Sequence, residues 1–164
     1  MRTIIAQFED STHAHEAIRQ LLERQYDRAD IGFIANDVAS DAGVGVGSPT
    51  AGAGGASLGL LLGLGSFMIP GIGPLLAAGP LAVGLAGAAA GVAEKDAQWL
   101  SRSLGAEDVS ESAAQAYTET IRSGGALIVM GARDEVADNI IAVLRTGGAV
   151  AVNTHARDPN ASGV

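Results

Sequence analysis

The feature that most constrains this chain is a run of 52 consecutive residues, 42–93, without a single Asp, Glu, Lys or Arg. All ten basic and eighteen acidic residues lie in the other 112 positions, where they make up about 25% of the residues, the usual proportion for a soluble domain. Fifteen of the 23 glycines and four of the five prolines also lie in this uncharged block. We therefore expect an ordinary domain formed by residues 1–41 and 94–164, with residues 42–93 inserted into it.

The charge balance and the absence of cysteine exclude several classes of protein. A formal net charge of -8 with one lysine, Lys95, argues against binding to nucleic acid or to anionic lipid, both of which need clustered positive charge. Without cysteine the chain has no disulfide, no thiolate metal site and no cysteine nucleophile. The early acidic pair Glu9 and Asp10 does not fit a secretory signal, so we expect a cytoplasmic protein.

The segments on either side of the block predict alternating strands and helices. Short β-branched runs predict strands, and apolar residues at helical spacing predict helices between them. The first helix is expected to be capped by Asp10, Ser11 or Thr12, the second by Asp108 or Ser110, and the third by Asp134. The tail from Thr154 onward is expected to be frayed. Two strand–helix–strand units indicate an α+β fold with a ferredoxin-like, four-stranded antiparallel sheet and two helices on one face. The predicted strands are 3–8, 31–35, 126–130 and 149–153, and the predicted helices centre on 14–22, 113–121 and 136–144.

Within the block, two apolar segments flank a cluster of helix breakers. Leu58–Ile69 and Leu75–Ala93 are separated by Pro70–Pro74, which predicts a turn between two helices, inserted between the second and third strands. Glycines every four residues share one helix face, a glycine zipper that lets a second helix approach closely. The residues predicted to form this packing surface are Gly55, Leu58, Gly59, Leu62, Gly63, Pro70, Gly71, Gly73, Pro74, Gly87 and Gly91.

Three surroundings are compatible with such a hairpin. Residues 51–69 would span roughly 28 Å as a helix, close to the hydrocarbon thickness of a bilayer, but the glycines and prolines weaken the helix and no basic cluster flanks the block. The hairpin can instead be covered by a second copy of the chain, since a Leu-rich ridge exposed to water promotes association. It can also pack on its own sheet as part of the core.

Four segments resemble one known family. Phe8–Ser11 before an Ala-rich amphipathic helix, Ala29–Ile31, the hairpin segment Ile69–Leu81 and the strand entry Ser123–Val129 are similar to the general stress protein 17M (YflT-like) domain family. The similarity extends over nearly the whole chain and is most specific in the hairpin. It implies a bacterial stress-associated domain without an established enzyme activity, so it supplies no catalytic residues.

Other arrangements of chemically active residues do not predict a site. His13 and His15 are two positions apart and point to different sides of a helix, and His155 lies in the expected loose tail, so we predict no metal site. Residues 52–57 lack the preceding strand and following acid of a dinucleotide loop, so no cofactor is predicted. The acidic pairs lie at helix starts, where they complement the helix dipole.

These observations predict a non-enzymatic stress-response protein that forms homo-oligomers, or binds a protein partner, through the block. One alternative is a membrane-associated module that inserts the hairpin into a bilayer. A second is a sensor of a small ligand or a metal.

Overall fold

The computed structural model describes residues 2–36, 65–69, 73–79 and 109–156, and it confirms the α+β class. Helices and strands alternate through the first and last parts of the chain, as the apolar patterns predict. A single 3-10 turn, Arg28–Asp30, leads into the second strand. The elements are β1 (Arg2–Phe8), α1 (Ser11–Glu23), β2 (Ile31–Asn36), β3 (Gly65–Ile69), β4 (Gly73–Ala78), α2 (Glu111–Arg122), β5 (Ala126–Ala132), α3 (Asp134–Thr146) and β6 (Ala151–Ala156).

The strands form one sheet in the order β3-β4-β2-β5-β1-β6, with every neighbouring pair antiparallel. The four strands predicted from the flanking segments are adjacent, in the order β2-β5-β1-β6. The prediction of a four-stranded sheet is nevertheless wrong, because β3 and β4 from the uncharged block extend the sheet beyond β2. Two segments of the block, Gly65–Ile69 and Gly73–Ala78, are therefore part of the same sheet as the flanking segments.

Both faces of the sheet are covered by helices. Successive strand residues point to opposite faces, and in β1 Ile4 and Ile5 accordingly belong to different buried clusters. Helices α1 and α3 pack on the first face, whereas α2 packs on the second through Ala114, Tyr117 and Ile121. The two-helix face agrees with the prediction, and coverage of the opposite face by α2 explains why the central strand β5 is apolar without alternation.

Two of the helices begin at residues that the sequence nominates as caps. The Asp10 carboxylate accepts the backbone N–H of His13 at 2.9 Å, and the Ser110 hydroxyl accepts that of Ala113 at 3.3 Å. The third prediction is wrong: Arg133 precedes α3 without a side-chain cap, and Asp134 is the first helical residue. There its carboxylate pairs with Arg2 at 2.8 Å and lies at the positive end of the helix dipole.

The prediction of helix across the centre of the block is also wrong. Gly65–Ile69 and Gly73–Ala78 are antiparallel strands, paired from Gly65 opposite Ala77 to Ile69 opposite Gly73. A short apolar run without alternation has no period that separates strand from helix. Here pairing with β2 decides the outcome, because it satisfies the backbone of a segment that glycine and proline make a poor helix.

The last strand extends further than the sequence predicts. It begins at Ala151 and ends at Ala156, so Thr154 and His155 are part of the sheet rather than of a frayed tail. Asn153 lies opposite Ile5, and His155 lies opposite Thr3. The pairing with β1 orders these polar residues, which carry no hydrophobic signal of their own.

Candidate functional site

The edge of the sheet formed by β3 is the part of the described structure that bears most directly on the predicted interaction surface. Its inner side pairs with β4, and in the described ranges no strand pairs with its outer side. An open edge exposes a row of backbone N–H and C=O groups that can pair with another strand. We call the outer side of Gly65–Ile69 the β3 edge.

Strand β4 attaches this edge to the core through small and apolar residues. Leu75 and Ala77 are fully buried in the cluster under α2, where Ala77 lies opposite Ile34 of β2. Ala78 is fully buried in the other cluster, opposite Phe33. Because β4 is buried on both faces, the position of β3 beside it is determined by the core.

Gly79 allows the end of β4 to lie close to β2. Its φ is +67°, in the left-handed region that side chains disfavour, and a Cβ there would overlap the carbonyl oxygen of Ile31. No other residue type meets both requirements. The β3–β4 hairpin can therefore pack against β2 in this way only with glycine at position 79.

Pro74 is accommodated in β4 for a geometrical reason. Pairing between β2 and β4 covers Leu75–Ala78, so Pro74 lies one residue beyond it and is opposite only Met68 of β3. A proline cannot donate a ladder hydrogen bond, and it is tolerated near the start of a strand where no such bond is needed. The residue that sequence analysis assigns to a turn is therefore part of a strand.

The β3 edge differs electrostatically from the rest of the chain. Along the sequence, Asp41 precedes Gly65 by 24 residues and Glu94 follows Ala78 by 16. At the opposite edge, β6 exposes the polar residues Asn153 and Thr154, and the charged Arg157 and Asp158 follow in the sequence. Neither edge strand contains Asp, Glu, Lys or Arg, but only β3 lies within a long uncharged segment of the sequence.

A polar cluster between α2 and β6 is the feature that sequence analysis missed. The hydroxyl of Tyr117, the largest fully buried side chain, lies 3.0 Å from Nε2 of His155 and accepts Nδ2–H of Asn153 at 3.2 Å. Because a hydroxyl has one donor and two acceptor sites, the Tyr117 hydroxyl can bond to both side chains at once. Asn153 and His155 are two residues apart, so they lie on the same face of a strand. This spacing would have indicated the cluster if the predicted strand had extended to residue 156.

Burial makes the Tyr117 hydroxyl a stable donor rather than a base. Desolvation raises the pKa of Tyr117 above its ordinary value, against the opposing effect of the hydrogen bond from Asn153. The phenol therefore remains protonated at neutral pH. A second link, from the Thr120 hydroxyl to Oε1 of Gln7 at 2.7 Å, also ties α2 to the sheet, so both polar contacts position the helix.

The histidines considered as metal ligands occupy different environments. Nδ1 of His13 lies 2.8 Å from the Asp10 carboxylate, and the backbone hydrogen bond from His13 lowers the pKa of Asp10. The ring of His15 instead packs against Phe33, with 5.6 Å between centroids. Among the residues that the structure describes, no group of three or more His, Cys, Asp or Glu side chains is arranged to hold a metal ion.

His15 should make the stability of the protein depend on pH. Burial lowers its pKa below 6.5, more than the charge of Asp10 raises it, so the unfolded chain binds the proton more readily. We expect the free energy of unfolding to be constant above about pH 7.5 and to fall as the pH drops through the ordinary histidine pKa of about 6.5. Urea titrations from pH 8 to pH 5 measure it.

The test variant for this prediction is His15→Gln. It removes the half-buried imidazole and should therefore remove most of the loss between pH 7 and pH 5. An unchanged pH profile in His15→Gln would contradict the assignment to His15.

Most residues of the predicted packing surface lie outside the described ranges. These are Gly55, Leu58, Gly59, Leu62, Gly63, Pro70, Gly71, Gly87 and Gly91. Gly73 and Pro74 lie in β4, so both belong to the hairpin that carries the β3 edge. In the described part of the chain, no helix is long and apolar enough to cross a bilayer.

The fold defines the class: an α+β protein whose antiparallel sheet is extended by a hairpin from an uncharged segment. Comparison of the chain with known protein families, with curated proteins and with solved structures finds no match. The function is therefore argued from the geometry and the charges of the chain.

Proposed function

We propose that this chain is a non-enzymatic protein of the bacterial general stress response and acts through self-association mediated by its uncharged block. The observation that carries the proposal is the position of β3 at one edge of the sheet, inside the only long uncharged segment of an acidic chain. The stress-response role follows from the resemblance of the block and its flanks to the general stress protein 17M family.

The distribution of charge favours association through this part of the molecule. Two copies with a net charge of -8 each repel one another at long range. Contact through an uncharged segment keeps like charges apart and avoids desolvating ionised groups. The block is the part of the sequence where two copies can meet at the lowest electrostatic cost.

A structural role for the polar groups supports the non-enzymatic assignment. The Tyr117 hydroxyl is occupied by His155 and Asn153, and the Asp10 carboxylate caps α1 and pairs with His13. The strand order β2-β5-β1-β6 supports a ferredoxin-like core to which the β3–β4 hairpin is added. In this arrangement the helices and polar contacts maintain the sheet, and the added hairpin provides the interaction surface.

Sedimentation velocity at several salt concentrations tests the proposal. If two copies meet through an uncharged surface, salt should strengthen their association, because it screens the repulsion between the acidic residues of the two copies outside the block. We expect the dissociation constant to fall about three- to ten-fold between 0.05 and 0.5 M NaCl. An interface built on ion pairs would show the opposite trend.

A variant with reduced acidity is the matched control. Changing the exposed Glu9, Glu135 and Asp138 to their amides takes the net charge from -8 to -5, outside the block. This variant should associate more tightly than the parent at low salt and respond less to added salt. A parent chain that remains monomeric at all salt and protein concentrations would refute self-association.

A further inference from the structure

We propose that the β3 edge pairs antiparallel with the β3 edge of a second copy, so that two six-stranded sheets form one continuous sheet across a two-fold axis. This inference rests on the proposed self-association and specifies its partner and geometry. It assigns the contact to the backbone of Gly65–Ile69.

One side of the β3 backbone pairs with β4, and this pairing holds the strand in the extended conformation that a further strand needs. Its register with β4 runs through all five residues, from Gly65 to Ile69, which holds the strand extended. The other side has no partner strand in the ranges that the structure describes. Addition of a strand to such an edge is a common mode of recognition, in which main-chain hydrogen bonds supply the affinity.

A second copy is the partner that the charges favour. An antiparallel pair of identical strands is self-complementary, because a two-fold axis places the donors of each edge opposite the acceptors of the other. The absence of charge along the block removes the lysines and acids that usually prevent edge-to-edge pairing. Since each copy is strongly acidic, this neutral edge is where two copies can approach.

The other sheet edge differs from β3 in its polar residues and in its place in the sequence. Asn153 and Thr154 of β6 are exposed. The strand itself contains no Asp, Glu, Lys or Arg, but Arg157 and Asp158 follow it directly in the sequence, whereas β3 is 24 residues from Asp41. The two edges therefore provide an internal comparison within one protein.

The small extent of the contact determines its expected strength. A stable interface usually buries about 800 Å² on each partner, more than five residues of strand edge supply. We therefore expect a reversible dimer with a dissociation constant on the order of micromolar, so measurements should cover about 1–500 µM.

Nitroxide labels along β3 test the geometry directly. The chain has no cysteine, so one engineered cysteine at each position from 65 to 69 gives one label per copy. In a two-fold antiparallel pair, the distance between equivalent labels is shortest at one position and increases by about 6.8 Å for each residue away from it. Frozen-solution electron paramagnetic resonance of the assembled protein measures these distances.

The alternatives give different patterns. Parallel pairing in register would keep the two backbones about 4.8 Å apart at every position. Long distances at all five positions would show that the edge is not paired. Either pattern overturns the proposal. If the parent protein associates but the label distances do not rise on both sides of a minimum, only the proposed antiparallel pairing is wrong. A monomeric parent refutes the proposed function as well.

A charge placed on each edge gives an independent test. Ser66→Lys should weaken association at least ten-fold, whereas Thr154→Lys, with the same change in charge at the β6 edge, should leave it unchanged. Circular dichroism establishes that both variants are folded. Equal effects of the two lysines would overturn the assignment to β3, and if Ser66→Lys does not fold, the label distances decide.

Discussion

Replacing Tyr117 by alanine is expected to lower the free energy of unfolding by about 3–5 kcal/mol, as for other large aromatic residues removed from a core. The side chain has no exposed surface and packs with α2 and the sheet in the second buried cluster. Its loss leaves a cavity and removes the hydroxyl that joins α2 to β6. Urea unfolding followed by circular dichroism at neutral pH measures the effect.

Tyr117→Phe separates packing from hydrogen bonding. This variant keeps the ring but removes the hydroxyl that His155 and Asn153 share. Because Asn153 is exposed and can bond to water instead, we expect a loss of about 0.5–1.5 kcal/mol. Asn153→Ala should cost less when it is combined with Tyr117→Phe than in the parent, because the contact is already gone. A Tyr117→Ala variant as stable as Tyr117→Phe would contradict the assignment of the ring to the core.

Replacing Gly79 by alanine is expected to destabilise the attachment of the β3–β4 hairpin by about 2–4 kcal/mol. Two costs combine, since the left-handed φ of +67° disfavours a side chain and the added Cβ overlaps the Ile31 carbonyl. Hydrogen exchange of the Leu75, Ala77 and Ala78 amides measures the effect. These amides should lose protection while those of β1 and β5 retain theirs.

Gly79→Asn distinguishes the two costs. Asparagine tolerates the left-handed region better than alanine does, but it carries the same Cβ. If overlap with Ile31 dominates, both variants lose protection to a similar extent, whereas a much milder effect of asparagine would assign the cost to φ. Full protection of β4 in Gly79→Ala would contradict the close approach of β4 to β2.

Loss of this attachment should also affect association. The β3 edge is held in the sheet through β4, so Gly79→Ala should weaken self-association even though the substituted residue is not on the edge. Tyr117→Phe keeps the ring in the cluster that also contains Leu75 and Ala77 and removes only the hydroxyl contacts with β6, so it should leave association unchanged. The two variants thus separate stability of the hairpin from stability of the whole fold.

The flanking elements were predictable because their sequences carry local signals. The apolar stripe of α1 and its cap Asp10 define that helix, and the glycines after α2 and α3 indicate their ends. These signals depend on contacts within a few residues, which periodicity and capping express directly. The boundary of β6 was missed because its polar residues are ordered by pairing with β1, a contact between distant parts of the chain.

The polar cluster shows the same limitation at the level of single side chains. Tyr117 is separated from His155 by 38 residues and from Asn153 by 36. Nothing in the neighbourhood of Tyr117 along the chain indicates that its hydroxyl has these partners. The ring lies among the buried positions of α2, which have helical spacing, whereas the hydrogen bonds at its end have no local signal.

Local signals in the sequence are sufficient for the α+β class, the two strand–helix–strand units and the confinement of charge to the residues outside 42–93. Tertiary structure decided that Gly65–Ile69 and Gly73–Ala78 are strands, because an apolar run without alternation has no periodicity that distinguishes strand from helix. For such a segment, the available partner determines the conformation. Here that partner is β2. One side of β2 pairs with β5 and the other pairs with β4, so β3 lies at the edge of the sheet.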